Sequence, residues 1–237
     1  MAATKVAILG ATGQNGSSIV TGLLSASHNF DITALVRPSS LEKKKVLDLQ
    51  KRGVKIASFD IDGPEDATVP LIDAAKKAGV KRYVPCFYAT VMPRGVQTLR
   101  DNKEAFLDHI QRVHLPYTVI DVGWWYQISL PRLPSGRLDR NLFLYNTAIG
   151  GDGNVPSVRT DSRDIGAYVG RIITDPRTLN QKVFAYTDLR TQNELWDTVS
   201  KLSGETIEKK YRTAEEIEEG IATTKVDQMM MIYLTPL

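Results

Sequence analysis

Apolar positions in the first sixty residues fall into short runs and helically spaced sets, in alternation. Residues 5–9 (KVAIL) make an apolar run too short for a helix and closed at once by glycines, which predicts a buried parallel strand. In 15–24 (NGSSIVTGLL), Ile19, Val20, Leu23 and Leu24 recur at helical spacing. A second strand is predicted at 32–36 (ITALV). A helix follows over 41–52, with Ser39 and Ser40 as available caps and Gly53 as its stop, and then a third strand at 54–59 (VKIASF). This β-α-β-α-β run opens a doubly wound parallel sheet.

The pattern then predicts a helix over 69–78, a strand at 82–85, a loop over 86–99, a helix over 100–113 and a strand at 117–122 (YTVIDV). After Gly123 it loosens, and 131–153, rich in Pro, Gly and Asn, reads as irregular. Further elements are a helix over 161–173, a strand at 182–186, a helix over 193–204, a strand at 207–211 and a helix over 213–231. The acidic start of the last suits the helix dipole. One spacing is short for a complete sheet. Only 60–68 separate the third strand from the next helix, whereas a crossover to a parallel neighbour takes roughly a dozen residues or more. Either strand four is absent from the fold or residues have been lost from the sequence.

Composition narrows the class without changing this picture. The 237 residues are 42% hydrophobic and 24% charged, ordinary for a globular α/β protein with a real core. A net charge of +3, spread along the chain, argues against a nucleic-acid partner. The densest basic run, Lys43-Lys44-Lys45, reads as a solvated helix face. The single cysteine, Cys86, excludes an intrachain disulfide and fits a reducing compartment. It reads as a small buried thiol. No signal-peptide pattern and no membrane-length apolar stretch is visible, so the expectation is a cytoplasmic protein without a membrane partner. His28, His109, His114 and Cys86 show no metal-ligand spacing, and no metal is expected.

The clearest chemistry lies in Gly10-Ala11-Thr12-Gly13-Gln14-Asn15-Gly16, between the first strand and the first helix. Gly10 permits a tight turn, Gly13 lets backbone approach a pyrophosphate, and Gly16 allows close helix–strand packing. The helix start offers free N–H groups and a positive dipole end to an anion. Gly10, Thr12, Gly13, Gln14, Asn15 and Gly16 are therefore candidate dinucleotide-binding residues. NAD readers carry an acid at the end of the second strand. Arg37 stands there instead, and a guanidinium suits a 2′-phosphate, so NADP(H) is the expected cofactor.

Four segments, VAILGATGQNGSSIV at 6–20, AAKKAGVKRYVPCFYA at 74–89, LRDNKEAFLDHIQRVHLPYTVIDVGWWYQ at 99–127 and DIGAYVGRIITDPRTLNQKVF at 164–184, resemble the NmrA-like and isoflavone-reductase-like group of atypical short-chain dehydrogenases. The resemblance is strongest to fungal members. It implies a Rossmann-type doubly wound parallel sheet with a small C-terminal substrate-binding lobe. The whole of 1–237 would be one domain, with about 1–125 as the NADP-binding core and 126–237 completing the sheet and forming the lobe. It also implies a lysine on the helix before the Pro116-Tyr117-Thr118 strand start. Lys103 matches that place; such a lysine donates or relays a proton and bonds the nicotinamide ribose. Position 99 is Leu, so the Tyr-x-x-x-Lys pair of typical short-chain dehydrogenases is missing.

Tyr88, Trp124, Trp125 and Tyr126 sit where the substrate pocket of such a fold opens, and are candidate pocket residues. The loop Pro85-Cys86-Phe87-Tyr88-Ala89 departs from the Pro-Ser-Glu-Phe-Gly common in the group's reductases. Met229, Met230 and Met231, with Ile232 and Tyr233, make an apolar surface that could cap a pocket or pair subunits as a homodimer. The function expected is NADPH-dependent reduction of a small aromatic or conjugated carbonyl or enone. The alternatives are a non-catalytic NADP(H)-sensing regulator that binds a protein partner, and an isomerase or cyclase that keeps the cofactor as scaffold.

Overall fold

The computed structural model describes residues 2–59, 68–144 and 146–223. They form two compact units woven from alternating stretches of the chain. The first takes Met1–Cys86, Asp108–Ile120 and Ser162–Val183; the second takes Phe87–Leu107, Asp121–Asp161 and the chain from Phe184 onward.

The first unit opens β1 (Thr4–Leu9), α1 (Gln14–Leu24), β2 (Phe30–Val36), α2 (Lys44–Lys51), β3 (Lys55–Ser58), α3 (Thr68–Lys77). The strands form a parallel sheet in the order β1-β2-β3, with Thr4 opposite Phe30 and Thr33 opposite Lys55. Alternation in β2 buries Ile32, Ala34 and Val36, as one covered sheet face requires. Helix α1 buries Ile19, Val20 and Leu23. It also meets α5 (Ile165–Ile172) backbone to backbone. A Cβ on Gly22 would lie 2.1 Å from the Gly166 carbonyl carbon, and one on Gly166 would lie 1.9 Å from Ser18 O. Ser18 closes the contact, its Oγ donating to Arg163 O at 2.8 Å and accepting from Gly166 N at 3.0 Å.

The α/β class and the opening β-α-β-α-β run stand as expected, but several elements differ. The 41–52 helix begins only at Lys44, because Pro38–Ser40 takes a 3₁₀ turn first. The 161–173 helix likewise starts late, at Ile165. The strand expected at 82–85 shrinks to a single bridge, Tyr83 to Tyr117, held by Tyr83 N to Pro116 O (2.7 Å) and Thr118 N to Tyr83 O (2.9 Å). A strand persists through ladders on its flanks. Among the described residues β1 pairs with β2 alone, so the neighbour that would continue the sheet from β1 is missing. Beyond α4 (Thr98–Arg112), β4 (Thr118–Asp121) pairs with β8 (Gln181–Phe184) instead. Cys86, read as a buried thiol, is exposed.

The second unit is built on elements the sequence pattern left out. β5 (Trp124–Trp125), β7 (Ser157–Thr160) and β9 (Asp188–Arg190) form a sheet with β7 central, parallel to β5 and antiparallel to β9. The stretch 131–153, read as irregular, supplies β6 (Ile149–Gly150), which pairs with β10 (Tyr211–Arg212), all that forms of the strand expected at 207–211. Ile149, Leu195 and Trp196 make a buried cluster with Tyr126, Leu130 and Ile207 against it. Helix α6 (Gln192–Ser203) starts at a Thr191–Glu194 capping box and ends at Gly204, whose φ of 72° only glycine adopts readily. Helix α7 runs over Ala214–Thr223, and the expected Met229–Tyr233 surface lies outside the described residues. No helix among the described residues is long and apolar enough to cross a membrane.

Candidate active site

In the first unit, β1 runs into the glycine loop and the loop into α1. Gly10 takes a φ of 73°, and Gly13 N donates to Gly10 O at 2.9 Å, closing the turn. Gly13 is the N-cap of α1 and has no side chain with which to satisfy the N–H groups of Gln14, Asn15 and Gly16. A Cβ on Gly16 would come 2.1 Å from Gly10 O, so this glycine lets the helix start lie directly on the loop. The Oδ1 of Asn15 is buried without a donor, and Thr12, in the same loop, is half-buried.

Arg37 follows β2, is exposed, and pairs with no side chain among the described residues. Lys45, assigned to a solvated face by its sequence, reaches back from α2 to place Nζ 3.5 Å from Thr12 O. The donor set is thus a row of unsatisfied backbone N–H groups, two cations and an orphaned acceptor. That chemistry fits a dianionic phosphate ester with ribose hydroxyls.

In the second unit, Lys103 is half-buried on α4 and donates from Nζ to Phe87 O at 2.7 Å. The carboxylates beside it in sequence bind elsewhere. Asp101 accepts from Gly95 N at 2.9 Å, and Glu104 holds Arg100 at 2.6 Å. Arg100 also grips Asp121 at 2.5 Å, donates to Thr90 O at 3.1 Å and stacks on the Phe87 ring at 4.8 Å. Burial alone would lower the pKa of Arg100, but the hydrogen bonds and charges of Asp121 and Glu104 raise it.

The loop that carries Tyr88 is therefore fastened from several sides. Trp125 Nε1 donates to Tyr88 O at 2.9 Å, and both Val122 N and Gly123 N donate to Ala89 O at 3.1 Å. So held, Tyr88 keeps a φ of 29° that a non-glycine residue rarely adopts.

The four expected pocket residues part company. Tyr88 is buried, and the Trp125 indole is spent on Tyr88 O and on an edge contact with Phe143 at 6.2 Å. Tyr126 donates to Asp188 Oδ2 at 2.7 Å; burial, then that hydrogen bond, push its hydroxyl up to about 12. Only Trp124 of the four lines the open cavity of this unit, about 70 Å³, together with Ile128, Val155, Ser157, Arg159 and Gln192 among others. Arg159 and Lys45 are what the sequence reading missed. Arg159 sits in a four-residue strand, Ser-Val-Arg-Thr, with a single apolar side chain, and Lys45 is one of three consecutive lysines.

Comparison with known proteins bears on the same regions. The chain is 46% identical over 232 residues to the asnovolin J 5′,6′-dehydrogenase of Aspergillus novofumigatus, covering 87% of this chain and 71% of the relative. It is 28% identical over 262 residues to the bifunctional pinoresinol-lariciresinol reductase of Thuja plicata, covering 92% and 81%. The fold matches that of a leucoanthocyanidin reductase–NADPH complex from Vitis vinifera with a TM-score of 0.76 at 21% identity, over 97% of this chain and 84% of that one.

The NmrA-like family model matches residues 2–70 and 65–235, two pieces that meet where the sequence is a strand short. The Thuja alignment, at 262 positions, is longer than the 237-residue chain, so that relative carries residues this one lacks. With both pieces of the family pattern present and the Rossmann-type fold in place, the chain belongs to the NmrA-like family.

Proposed function

We propose that the chain is an NADPH-dependent oxidoreductase that reduces a small aromatic or conjugated carbonyl or enone. What carries this reading is the glycine loop, with an uncapped helix start, Gly16 packed on Gly10 O, and Arg37 and Lys45 as cations. Arg37 would take the 2′-phosphate, Lys45 would add charge beside it, and Gln14, Asn15 and Gly16 would offer N–H groups to the pyrophosphate. When bound, the nicotinamide supplies a hydride.

The chain's own residues then manage the proton and the substrate. Lys103 holds its ammonium on Phe87 O and gives a proton to the substrate oxygen as the carbonyl carbon is reduced, leaving an alcohol and a neutral amine that solvent reprotonates. Trp124 offers an aromatic wall. The Aspergillus relative is named a dehydrogenase and the Thuja relative a reductase. Hydride transfer to or from a nicotinamide can run in either direction, so the direction taken by this chain would follow the cofactor form loaded. A reducing, cytoplasmic setting suits the exposed thiol of Cys86.

The test is NADPH oxidation by the purified chain with pooled aromatic carbonyls and enones, followed by cofactor fluorescence. We expect Lys103→Met to bind NADPH within a fewfold of the parent and to lose roughly 10²–10⁴-fold in turnover. NADPH binding with no oxidation of any pool by the parent would remove the reductase assignment. Full activity in Lys103→Met would remove the lysine from it.

A further inference from the structure

The second unit buries a positive charge that nothing in the described structure neutralises. Arg159 lies in the middle of the central strand β7, 3% exposed, with Trp124 opposite on β5 and Asp188 opposite on β9. Register partners in neighbouring strands put their side chains on one face, so Asp188 is the natural counter-ion. It is committed otherwise. One oxygen accepts from the Tyr126 hydroxyl at 2.7 Å and the other faces the Arg190 guanidinium at 3.9 Å. Arg159 keeps one side-chain hydrogen bond, from Nη2 to the neutral Ser157 hydroxyl at 3.1 Å, and its Nε is buried with no partner.

A guanidinium carries five donors, and burying it without an anion is costly. Burial lowers the pKa of Arg159, the direction expected of a cation short of a counter-charge. A structural arginine would have been given a carboxylate, as Arg100 is given two in the same unit. Arg159 instead lines an open cavity beside Trp124, and among the described residues none that lines it is acidic. Gln192 Oε1 accepts from Gly150 N at 2.8 Å, so the end of its side chain left for a ligand is the donor Nε2. The cavity, about 70 Å³, has room for a few waters, hence for a carboxylate and the carbon that bears it. Trp124, Ile128 and Val155 supply apolar wall for the rest of such a molecule.

We infer that this cavity is a carboxylate-recognition subsite, in which the Arg159 guanidinium binds the acid group of an aromatic or conjugated carboxylic acid and Trp124 packs on its body. The inference rests on the reading of this unit as the substrate lobe and sharpens the substrate class to acids. A planar guanidinium edge matches the two oxygens of a carboxylate, and charge-assisted hydrogen bonds of this kind are the strong ones.

The experiment is calorimetric titration of the full-length chain with benzoate and with methyl benzoate, alongside thermal melts of parent and Arg159→Met. Benzoate should bind roughly tenfold or more tighter than its ester, and Arg159→Met should erase that preference. Methionine fills much of the same space without charge. Because the guanidinium is kept for a ligand, Arg159→Met should melt at or above the parent temperature.

Equal binding of acid and ester, binding of neither, or an acid preference that survives in Arg159→Met would each overturn the proposal. So would a variant that melts well below the parent or fails to fold, since the arginine would then be structural. Neither readout uses NADPH. The redox assignment can therefore fail while the carboxylate result stands, and the reverse.

Discussion

Arg37 and Lys45 reach the cofactor loop by different routes, one at the end of β2 and the other from α2, and their contributions separate by cofactor. Arg37→Gln removes a guanidinium that only a 2′-phosphate would engage. It should cost NADPH about 1.5–3 kcal/mol of binding and leave NADH nearly unchanged, as fluorescence titration with both cofactors would register. An equal loss for the two would place Arg37 elsewhere.

Tyr126 makes a prediction in pH. Its hydroxyl, ordinarily at 10.0, is pushed up to about 12, first by burial and then by Asp188. The folded state therefore keeps a proton that the unfolded state gives up. Stability tied to that proton is complete below pH 10 and drains away as pH rises toward 12. Tyr83, raised to about 12 chiefly by burial, adds to the same loss. Tyr126→Phe should flatten part of the decline in urea midpoint over that interval and leave the rest to Tyr83.

At the scale of elements, α5 brings two glycines to its crossing with α1 that differ in their surroundings. Gly166→Ala drives a methyl into Ser18 O, where only a backbone shift relieves it, and should cost about 1–3 kcal/mol. Gly170→Ala meets nothing closer than 3.7 Å and gains up to ~1 kcal/mol of helix propensity. The urea midpoint should fall for Gly166→Ala and hold or rise for Gly170→Ala.

The same scale explains what the sequence makes visible. β1, its loop, α1 and β2 are legible because a four-to-seven-residue apolar run and a helical repeat are long enough to have a period, and Gly10, Gly13 and Gly16 mark the join. β5 and β9 are two and three residues long, below the length at which alternation distinguishes a strand from a turn, and the four residues of β7 (SVRT) hold a single apolar side chain. Residues 82–85 err the other way. Arg82-Tyr83-Val84-Pro85 has local strand character but finds one bridge partner, since sheet structure is decided by neighbours. Arg37 could be assigned by its place after a strand. Arg159 could not, because its meaning lies in Asp188 being already engaged by Tyr126, a residue sixty-two positions away in sequence.

For the molecule as a whole, the shortened stretch before α3 leaves its mark on β1. In an uninterrupted doubly wound sheet the first strand is central, yet here Ile8 is its only buried residue and Leu9 is 43% exposed. Among the described residues β1 bonds to β2 along one side, whereas β2 bonds to β1 and β3. Successive N–H groups of a strand point to opposite sides, so hydrogen exchange should find half the β1 amides nearly as fast as loop amides. The β2 amides opposite β3 should be slow. Uniformly slow exchange across β1 would mean that its second side is covered in solution.

The weave of the two units has an evolutionary corollary. The chain crosses from one unit to the other after residues 86, 107, 120, 161 and 183, so neither unit exists as a continuous length of gene. A new specificity cannot be spliced in as a cassette, as it can where a recognition module follows a catalytic one. A chimera that exchanged the second unit would need three inserts and five compatible junctions, one of them inside α4 itself. Exchange of a whole unit is thereby a costly route, and substitution in place a simpler one. Single changes at positions such as Arg159 then become the natural steps between one substrate and the next.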